Sequence, residues 1–277
     1  MIGQLNIRHL PTTPSTMEDA RAWAENGAPH LATVVADDQT SGRGRLNRPW
    51  TMFAHHSLAC TVIVRGAYPH LPFLTALAMA RALREFMGLC EGGQGGEAPL
   101  DAERVMPAQA GIHGSKQAEG LPYLTLKWPN DLLLNGKKLA GILVESLPLI
   151  PPNPPTYLVG VGLNITRPPE VPDTFQGIFL SETVAPPTRD ELLYAFIPCF
   201  SDILALYTQS GWPALAGEYV RQSCTIGQNV RWENPNGTVL FGRAQGLTPD
   251  GTLVVVDDAG GLHHIHSGDV IAQGRKH

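Results

Sequence analysis

The sequence predicts an α+β protein, in which a mixed β-sheet with helices occupies residues 1–222 and a small β-barrel occupies residues 223–277. Over the first segment, apolar runs rich in β-branched residues alternate with runs of helical periodicity, which is typical of a mixed α and β domain. After about residue 223, short strand-like runs are separated by the turn sequences NPNG, TPDG and DAGG, which indicates successive hairpins. Such hairpins favour a closed barrel, because closure leaves no unpaired strand edge.

The overall charge argues against several kinds of partner. The 277 residues include 25 acidic and 20 basic residues, with a formal net charge of −5. A nucleic-acid-binding surface requires a basic surplus, so we expect no nucleic-acid partner. No run reaches the roughly 18 apolar residues of a membrane span, and the N-terminus lacks the apolar stretch of a signal peptide. We therefore expect a cytoplasmic protein that binds no membrane.

The cysteines and histidines do not indicate a metal site. Four cysteines lie far apart and form no CxxC pair: Cys60, Cys90, Cys199 and Cys224. This spacing predicts buried thiols in a reducing compartment rather than a zinc or redox site. In the run HHIH, a strand places only His264 and His266 on one face, and no third ligand is evident.

The N-terminal elements follow from local signals. Ser15 or Thr16 is a candidate N-cap for a short helix, Glu18 is placed to complete a capping box with Ser15, and Gly27 follows the helix end. The runs HLATVVAD and SLACTVIVRG then predict two buried strands. The segment LPFLTALAMARALREFMG has apolar residues at helical spacing and predicts a helix that faces the core. Residues 91–120 lack periodicity and predict an extended, mobile insertion.

Strands and two helices are predicted after the insertion. The runs YLTLKW, DLLLNGKKLAGILVESL and TYLVGVGLNI read as strands, with a hairpin turn at Asn135 and Gly136. The segments TRDELLYAFIPCFSDILALYTQSG and WPALAGEYVRQS read as helices. Pro198 is expected to kink or break the first of them, because proline removes a hydrogen bond inside a helix.

The stretch GRGRLNRPW, residues 42–50, is here called the arginine loop; it places three arginines between the first two predicted strands. Glycine allows the backbone to close around a ligand, and arginine is a planar cation suited to phosphate and carboxylate oxygens. The loop matches neither the P-loop pattern nor the dinucleotide-binding pattern. Its two interpretations are a clamp for a small anion and a solvated basic turn.

A second unusual stretch is LKWPNDLLLNGKKLAG. Lys127 ends a predicted strand, and Asn130 and Asp131 follow in a turn. Such a lysine is either a functional cation or an edge residue that discourages strand pairing between molecules.

Together these stretches resemble the biotin protein ligases. GRGRLNRPW is similar to the GRGRxGRxW adenylate-binding loop of that family, and KWPNDLLLNGKKLAGIL to its KWPND segment and following strand. PSTM is similar to the Ser-Thr-Asn stretch that opens the first helix, Gln39 stands at the position of a biotin-contacting glutamine, and GVGLN resembles a glycine-rich strand end. The tail resembles the family's C-terminal SH3-like barrel. The resemblance implies a mixed sheet of the class II aminoacyl-tRNA synthetase and biotin ligase type.

The sequence departs from the family pattern at two positions. Asn47 replaces a glycine of the loop, and Met17 replaces an asparagine of the Ser-Thr-Asn stretch. Asparagine tolerates a left-handed backbone, so we expect the loop to fold. Some family members carry an N-terminal helix-turn-helix that represses transcription. Here the catalytic resemblance begins within the first fifteen residues, so we expect neither that domain nor repression.

The resemblance implies a two-step reaction: biotin and ATP, with Mg²⁺ bound mainly through ATP, give biotinoyl-5′-AMP and pyrophosphate, and biotin then passes to a lysine of a biotin carboxyl carrier protein. The carrier belongs to acetyl-CoA carboxylase or another biotin-dependent carboxylase. A monomer and a homodimer are both compatible with the sequence.

The catalytic residues implied are Arg45 and Lys127. The biotin-binding residues implied are Ser15, Thr16, Met17, Gln39, Arg43, Gly44, Arg45 and Lys127. The ATP-binding residues implied are Gly42, Arg43, Arg45, Arg48, Trp50, Asn130, Asp131 and Asn164, and no protein metal ligand is expected.

Two alternatives remain open at this point. Lipoate and octanoate ligases share the catalytic fold and attach a different acid to a similar carrier. The other alternative is a non-catalytic module that binds a carrier or peptide. Loss of ligation after Arg45→Ala or Lys127→Ala would separate the enzyme from the module.

Overall fold

The computed structural model describes residues 5–88, 106–107, 122–148, 154–234 and 236–272. The predicted insertion at 91–120 and the thiol of Cys90 lie outside the described residues, apart from a two-residue strand, β4 (Met106–Pro107).

A seven-stranded sheet forms the centre of the molecule, in the order β1-β2-β3-β8-β7-β6-β5. The first pair is parallel and the others are antiparallel. Its strands are β1 (Ile7–Thr13), β2 (Thr33–Gln39), β3 (Ser57–Arg65), β5 (Leu124–Lys127), β6 (Asp131–Leu134), β7 (Lys137–Ser146) and β8 (Thr156–Asn164). The mixed α+β architecture predicted from the sequence is confirmed.

The two faces of the sheet are covered differently. Side chains alternate between the faces of a strand, so Val34 and Ile63 pack with helix α1 (Thr16–Glu25). Their neighbours Val35 and Val62 belong to the main core. Three helices cover that face: α2 (Leu71–Phe86), α3 (Arg189–Ser210) and α4 (Pro213–Gln222). The thinner α1 face leaves room for a cavity beside the helix.

One strand was missed from the sequence, and one helix is longer than the alternative of a break allows. Strand β1 was not predicted, because Pro11 interrupts its pattern; an edge strand tolerates proline on its free side, and β1 is the edge of this sheet. Helix α3 continues through Pro198, so the break that was one of the two expectations does not occur. This helix is long and apolar enough to span a membrane by length and composition, yet its residues Phe196 and Phe200 are buried in the core.

The hairpin turn at Asn135 and Gly136 is confirmed. Both residues have positive φ, 50° and 76°, as a two-residue hairpin turn of this type requires. The turn brings β6 and β7 together, and so places Asp131 opposite Gly141.

The C-terminal hairpins form a separate antiparallel sheet in the order β12-β11-β10-β9-β13, with β4 pairing beside β10. This agrees with the predicted SH3-like fold, whereas the boundary between residues 222 and 223 stays a prediction. Its strands are β9 (Asn229–Glu233), β10 (Val239–Leu247), β11 (Leu253–Val256), β12 (Leu262–Ile265) and β13 (Asp269–Ala272). The turn before β11 packs on the first domain, since Trp128 Nε1 donates a hydrogen bond to the Gly251 carbonyl at 3.2 Å.

Three cysteines fall within the described residues, and only Cys60 is buried; Cys199 and Cys224 are partly exposed. Burial raises the pKa of Cys60 to about 12, so this thiol is protonated at neutral pH. The expectation that all four thiols are buried was therefore wrong for Cys199 and Cys224.

Candidate functional site

A cavity of about 380 Å³ lies between the start of α1, the arginine loop, the sheet and strand β13. It gathers most of the residues that the sequence singled out. The predicted residues that line it are Ser15, Thr16, Met17, Gln39, Arg43, Gly44, Arg45, Arg48, Trp50, Lys127, Asn130 and Asp131. Gly42 and Asn164 do not line it.

The arginine loop folds as a small hairpin over the cavity. Gly44 N donates to the Arg48 carbonyl at 2.8 Å, and Trp50 N donates to the Gly42 carbonyl at 2.9 Å. A single 3₁₀ turn, Arg45–Asn47, forms the tip, and Leu46 there has φ 56°. The left-handed residue of the tip is therefore Leu46, next to Asn47, which replaces the glycine of the family pattern.

Gly42 supports the loop rather than the cavity. A Cβ at this position would lie 2.7 Å from both Gln39 Nε2 and the Trp50 carbonyl, which is closer than real contacts allow. The absence of a side chain therefore lets the base of the loop close against β2.

The cation Arg45 is half-buried and held by an amide. Its Nη1 donates to Asn130 Oδ1 at 3.0 Å, and Asn130 Nδ2 donates to the Ile142 carbonyl at 2.8 Å. Burial lowers the pKa of Arg45, and the nearby charge of Asp131 opposes that shift. Because arginine titrates far above neutrality, the guanidinium keeps its charge. Asn130 thus aims a charged group into the cavity.

Two lysines complete the inner set of cations. Lys127 ends β5, and within the described part of the chain its Nζ has no ion-pair partner. Lys138, on β7, lines the same cavity, with Nζ 2.8 Å from Asp131 Oδ1. Lys138 was not predicted as a site residue, although it stands in the run KKLAG. The available signal was strand alternation, which directs one of its two adjacent lysines inward.

The outer arginines make exposed ion pairs. Arg43 Nη2 lies 3.6 Å from Glu18 Oε1, and Arg48 Nη2 lies 2.5 Å from Asp269 Oδ2. The hydrogen bond from Arg48 lowers the pKa of Asp269, and the charges of Arg45 and Lys127 contribute to the same shift. The sequence analysis missed Asp269, because the ion pair joins positions 221 residues apart.

The opposite end of the cavity is polar and uncharged. Thr16 donates to Gln39 Oε1 from its backbone N at 2.9 Å and from its hydroxyl at 3.1 Å. Ser15 is the N-cap of α1, but its side chain makes no capping hydrogen bond, so the predicted capping box with Glu18 does not form. Gln39 satisfies Thr16 N, the first amide of the helix. The Ser15 hydroxyl has no capping role, and Ser15 lines the cavity.

Three glycines of β7 and β8, Gly141, Gly160 and Gly162, form what we call the glycine floor of the cavity. The indole of Trp50 lies on this floor: a Cβ at Gly162 would lie 2.4 Å from Trp50 Cε2. Met17 is buried beside it, and a Cβ at Gly160 would lie 2.9 Å from its sulfur. The missing side chains therefore make room for Trp50 and Met17 at the wall of the cavity.

Asn164 stands at the end of β8, opposite Ser57. It is 2 % exposed, and its Nδ2 donates to the Ile178 carbonyl at 3.3 Å. This hydrogen bond links the end of β8 to the backbone at Ile178, and Asn164 does not line the cavity.

Two family models match the chain. The one described as "Biotin/lipoate A/B protein ligase family" matches residues 10–164, and the one described as "Biotin protein ligase C terminal domain" matches residues 225–272. The chain therefore belongs to the biotin/lipoate A/B protein ligase family. The C-terminal sheet of this chain matches the C-terminal domain of the biotin protein ligases within that family.

The most similar proteins agree with this assignment. The biotin--[acetyl-CoA-carboxylase] ligase of Mycobacterium tuberculosis is 33% identical over 97% of this chain and 88% of that protein. The bifunctional ligase/repressor BirA of Bacillus subtilis is 29% identical over 98% of this chain and 74% of that protein. A crystallised biotin protein ligase from Aquifex aeolicus, in complex with biotin and ATP, covers 97% of this chain and 98% of its own with a TM-score of 0.72 and 22% identity.

Proposed function

We propose that this protein joins biotin to ATP, forming biotinoyl-5′-AMP and pyrophosphate, and then transfers the biotin to a lysine amine of a biotin carboxyl carrier protein. One observation carries the proposal: Arg45, Lys127 and Lys138 converge on a single cavity whose far end is polar and uncharged. That arrangement suits a ligand with a carboxylate at one end and a neutral polar ring at the other. Relatives named as biotin ligases supply the identity of the acid.

The first step requires the cations. A biotin carboxylate oxygen attacks the α-phosphorus of ATP, and the bond from that phosphorus to the β-phosphate bridging oxygen breaks to release pyrophosphate. Both reacting groups are anionic, so positive charge fixed at the reacting centre lowers the barrier. We assign this role to Arg45 and Lys127, with Lys138 beside them. Arg43 and the backbone of Gly44 hold the adenylate from the loop.

The ring of biotin fits the uncharged end. The Oε1 atom of Gln39 already accepts two hydrogen bonds from Thr16, so its Nε2 is the group left to donate to a ligand carbonyl. Ser15 supplies a hydroxyl that can donate or accept. Trp50 and Met17, which pack on the glycine floor and line the cavity, give the aliphatic chain an apolar surface.

The loop excludes water from the intermediate. Biotinoyl-5′-AMP is a mixed anhydride that water hydrolyses, and an enclosed site limits that loss. The tip of the arginine loop covers the cavity from the solvent side, and Trp50 anchors the loop on the glycine floor. Arg48 and Trp50, at the outer end, are assigned to ATP.

We assign Mg²⁺ to the phosphates of ATP. Among the described residues, no group of three His, Cys, Asp or Glu side chains is placed to hold a metal ion. The two carboxylates that line the cavity, Asp131 and Asp269, are already paired with Lys138 and Arg48. When bound, Mg²⁺ would neutralise phosphate charge, and the residues above would orient the reactants.

The test is exchange of labelled pyrophosphate into ATP, measured with biotin, octanoate or lipoate in the presence of Mg²⁺. We expect exchange with biotin alone, because exchange reports reversible formation of the adenylate and depends on the acid. Exchange with octanoate or lipoate instead would identify the other acid ligases of the family. Absence of exchange with all three acids in folded protein would favour the non-catalytic module.

A further inference from the structure

The outer face of the C-terminal sheet carries an apolar row that ends at the cavity. In antiparallel pairs, residues directly opposite each other point to the same side of the sheet. Phe241 on β10 is opposite Arg231 on β9, and Arg231 is opposite Ile271 on β13. Phe241 is 51% and Ile271 is 50% exposed. Ile271 also lines the cavity, so the row leads from open surface to the reacting centre.

A second row of opposed residues lies on the same face, two residues away along each strand. Val239 is opposite Glu233, and Glu233 is opposite Asp269. Val239 is 39% exposed, and Asp269 lines the cavity. The two rows together are here called the carrier face. It spans three strands, or roughly 10 Å from β10 to β13 at the usual spacing between strands.

Charge on the carrier face is largely neutralised internally. Arg231 Nη1 lies 2.6 Å from Glu233 Oε2, and Asp269 is paired with Arg48 of the loop. The carrier face thus combines three exposed apolar side chains, Phe241, Val239 and Ile271, with charged side chains that are paired but still partly exposed. Clustered apolar side chains on an open surface mark interaction sites, whereas scattered single ones do not.

We propose that the carrier face docks the protein substrate, a small folded carrier domain that presents its acceptor lysine on an exposed turn. This inference rests on the proposed function, because that function requires a protein-bound lysine to reach the cavity. A carrier domain is the expected occupant because the carrier face is continuous with the cavity, which is where the acceptor lysine has to react. A domain seated on Phe241 and Val239 is held beside Ile271, so that a lysine on its edge extends over β13 to the adenylate. The neutral amine nitrogen then attacks the acyl carbon and loses a proton to solvent, and AMP leaves with the electrons of the broken carbon–oxygen bond.

The experiment separates docking from chemistry. In Phe241→Ser and, independently, Val239→Asn, three rates are measured: biotin-dependent pyrophosphate exchange, release of AMP with hydroxylamine as a small acceptor, and biotin transfer to the unbiotinylated carrier domain of an acetyl-CoA carboxylase. Hydroxylamine attacks the same acyl carbon and needs no docking. The matched control is Leu262→Ser, because Leu262 is 63% exposed on β12 at the other end of the same sheet.

We expect KM for the carrier to rise about tenfold in Phe241→Ser and less in Val239→Asn, as is typical of removing an aromatic contact. Exchange and hydroxylamine capture should stay at the unmodified rate, and Leu262→Ser should change none of the three. An unchanged carrier KM in both variants would overturn the carrier face while leaving the proposed function intact. A parallel fall in exchange would also overturn it, because the face would then act on the first step. Absence of exchange in the unmodified protein would instead refute the proposed function itself.

Discussion

Arg48 of the arginine loop and Asp269 of strand β13 form an ion pair, with Nη2 and Oδ2 2.5 Å apart. The loop is therefore tied to the C-terminal domain at its outer end, while Arg45 ties it to Asn130 at its inner end. Both members of the outer pair are well exposed, so the pair itself adds little to stability. The ion pair is of interest because both residues line the cavity where the phosphates of ATP are proposed to bind.

Replacing Asp269 by asparagine should lower KM for ATP. The depressed pKa of Asp269 shows that its carboxylate is stabilised by Arg48, with smaller contributions from Arg45 and Lys127. Reciprocally, the carboxylate repels another anion that approaches the same cations. We expect KM for ATP to fall about twofold to fivefold, given screening by water. Pyrophosphate exchange at varied ATP measures this, and a higher KM would show that the ion pair assists ATP binding.

Removing Lys138 should stop adenylation, whereas removing its neighbour should not. Lys138 lines the cavity and Lys137 is exposed on β7. The change Lys138→Ala removes a cation from the reacting centre, so we expect biotin-dependent exchange to fall about 100-fold or more. Lys137→Ala is the matched control and should keep the full rate. Equal effects of the two substitutions would contradict a specific role for Lys138.

Alanine on the glycine floor should impair biotin binding in a defined order. At Gly162 a new Cβ would meet the indole of Trp50 at 2.4 Å, whereas at Gly160 it would meet the flexible Met17 side chain at 2.9 Å. Overpacking of this kind costs about 1–3 kcal/mol. We expect KM for biotin to rise at least about fivefold in Gly162→Ala and less in Gly160→Ala. Tryptophan fluorescence should also shift in the first variant only. The reverse order would show that the indole moves aside more easily than the methionine.

Stability should depend on pH through an ion pair remote from the cavity. Arg189, the first residue of α3, donates to Asp37 of β2, and this hydrogen bond is the largest cause of the lowered pKa of Asp37. The folded pKa lies below the unfolded one, so the pair stabilises the protein above the ordinary aspartate pKa of about 4. The contribution is lost as pH falls through the lower folded value.

We expect Arg189→Met to reduce the free energy of unfolding by about 1–3 kcal/mol at neutral pH, with a smaller difference below about pH 4. Urea unfolding across this range measures the effect. Arg167→Met is the control, because Arg167 forms a more exposed pair with Glu182 and should cost less than about 1 kcal/mol. A difference that stays constant down to low pH would assign the loss to packing.

The sequence was most informative where local chemistry determines structure. The hairpin at Asn135 and Gly136 follows from turn geometry, and the buried strands β2 and β3 follow from their β-branched composition. The composition of the arginine loop left two interpretations open, and its similarity to the adenylate-binding loop of the biotin protein ligases favoured the anion clamp. Those features depend on residues that are neighbours in the chain.

The sequence was least informative where partners are distant. Nothing near Asp269 indicates that it meets Arg48, and the residues around Ser15 give the pattern of a capping box that the structure does not form. Strand β1 carries a proline and was missed, because its edge position is decided by the rest of the sheet. In each of these cases the structure depends on residues that are far apart in the chain. A local sequence pattern does not indicate such contacts.

The glycine floor also means that the ligand-free sheet lacks part of its side-chain layer. Glycine weakens a strand, since it packs nothing and loses more conformational freedom on folding. Three such positions on two adjacent strands leave β7 and β8 supported on that face mainly by Trp50 and Met17. The side-chain layer on this face is therefore completed by one residue of the arginine loop and one residue of α1. The position of the loop decides how well this part of the sheet is packed, so we expect any movement of Trp50 to loosen β7 and β8 as well.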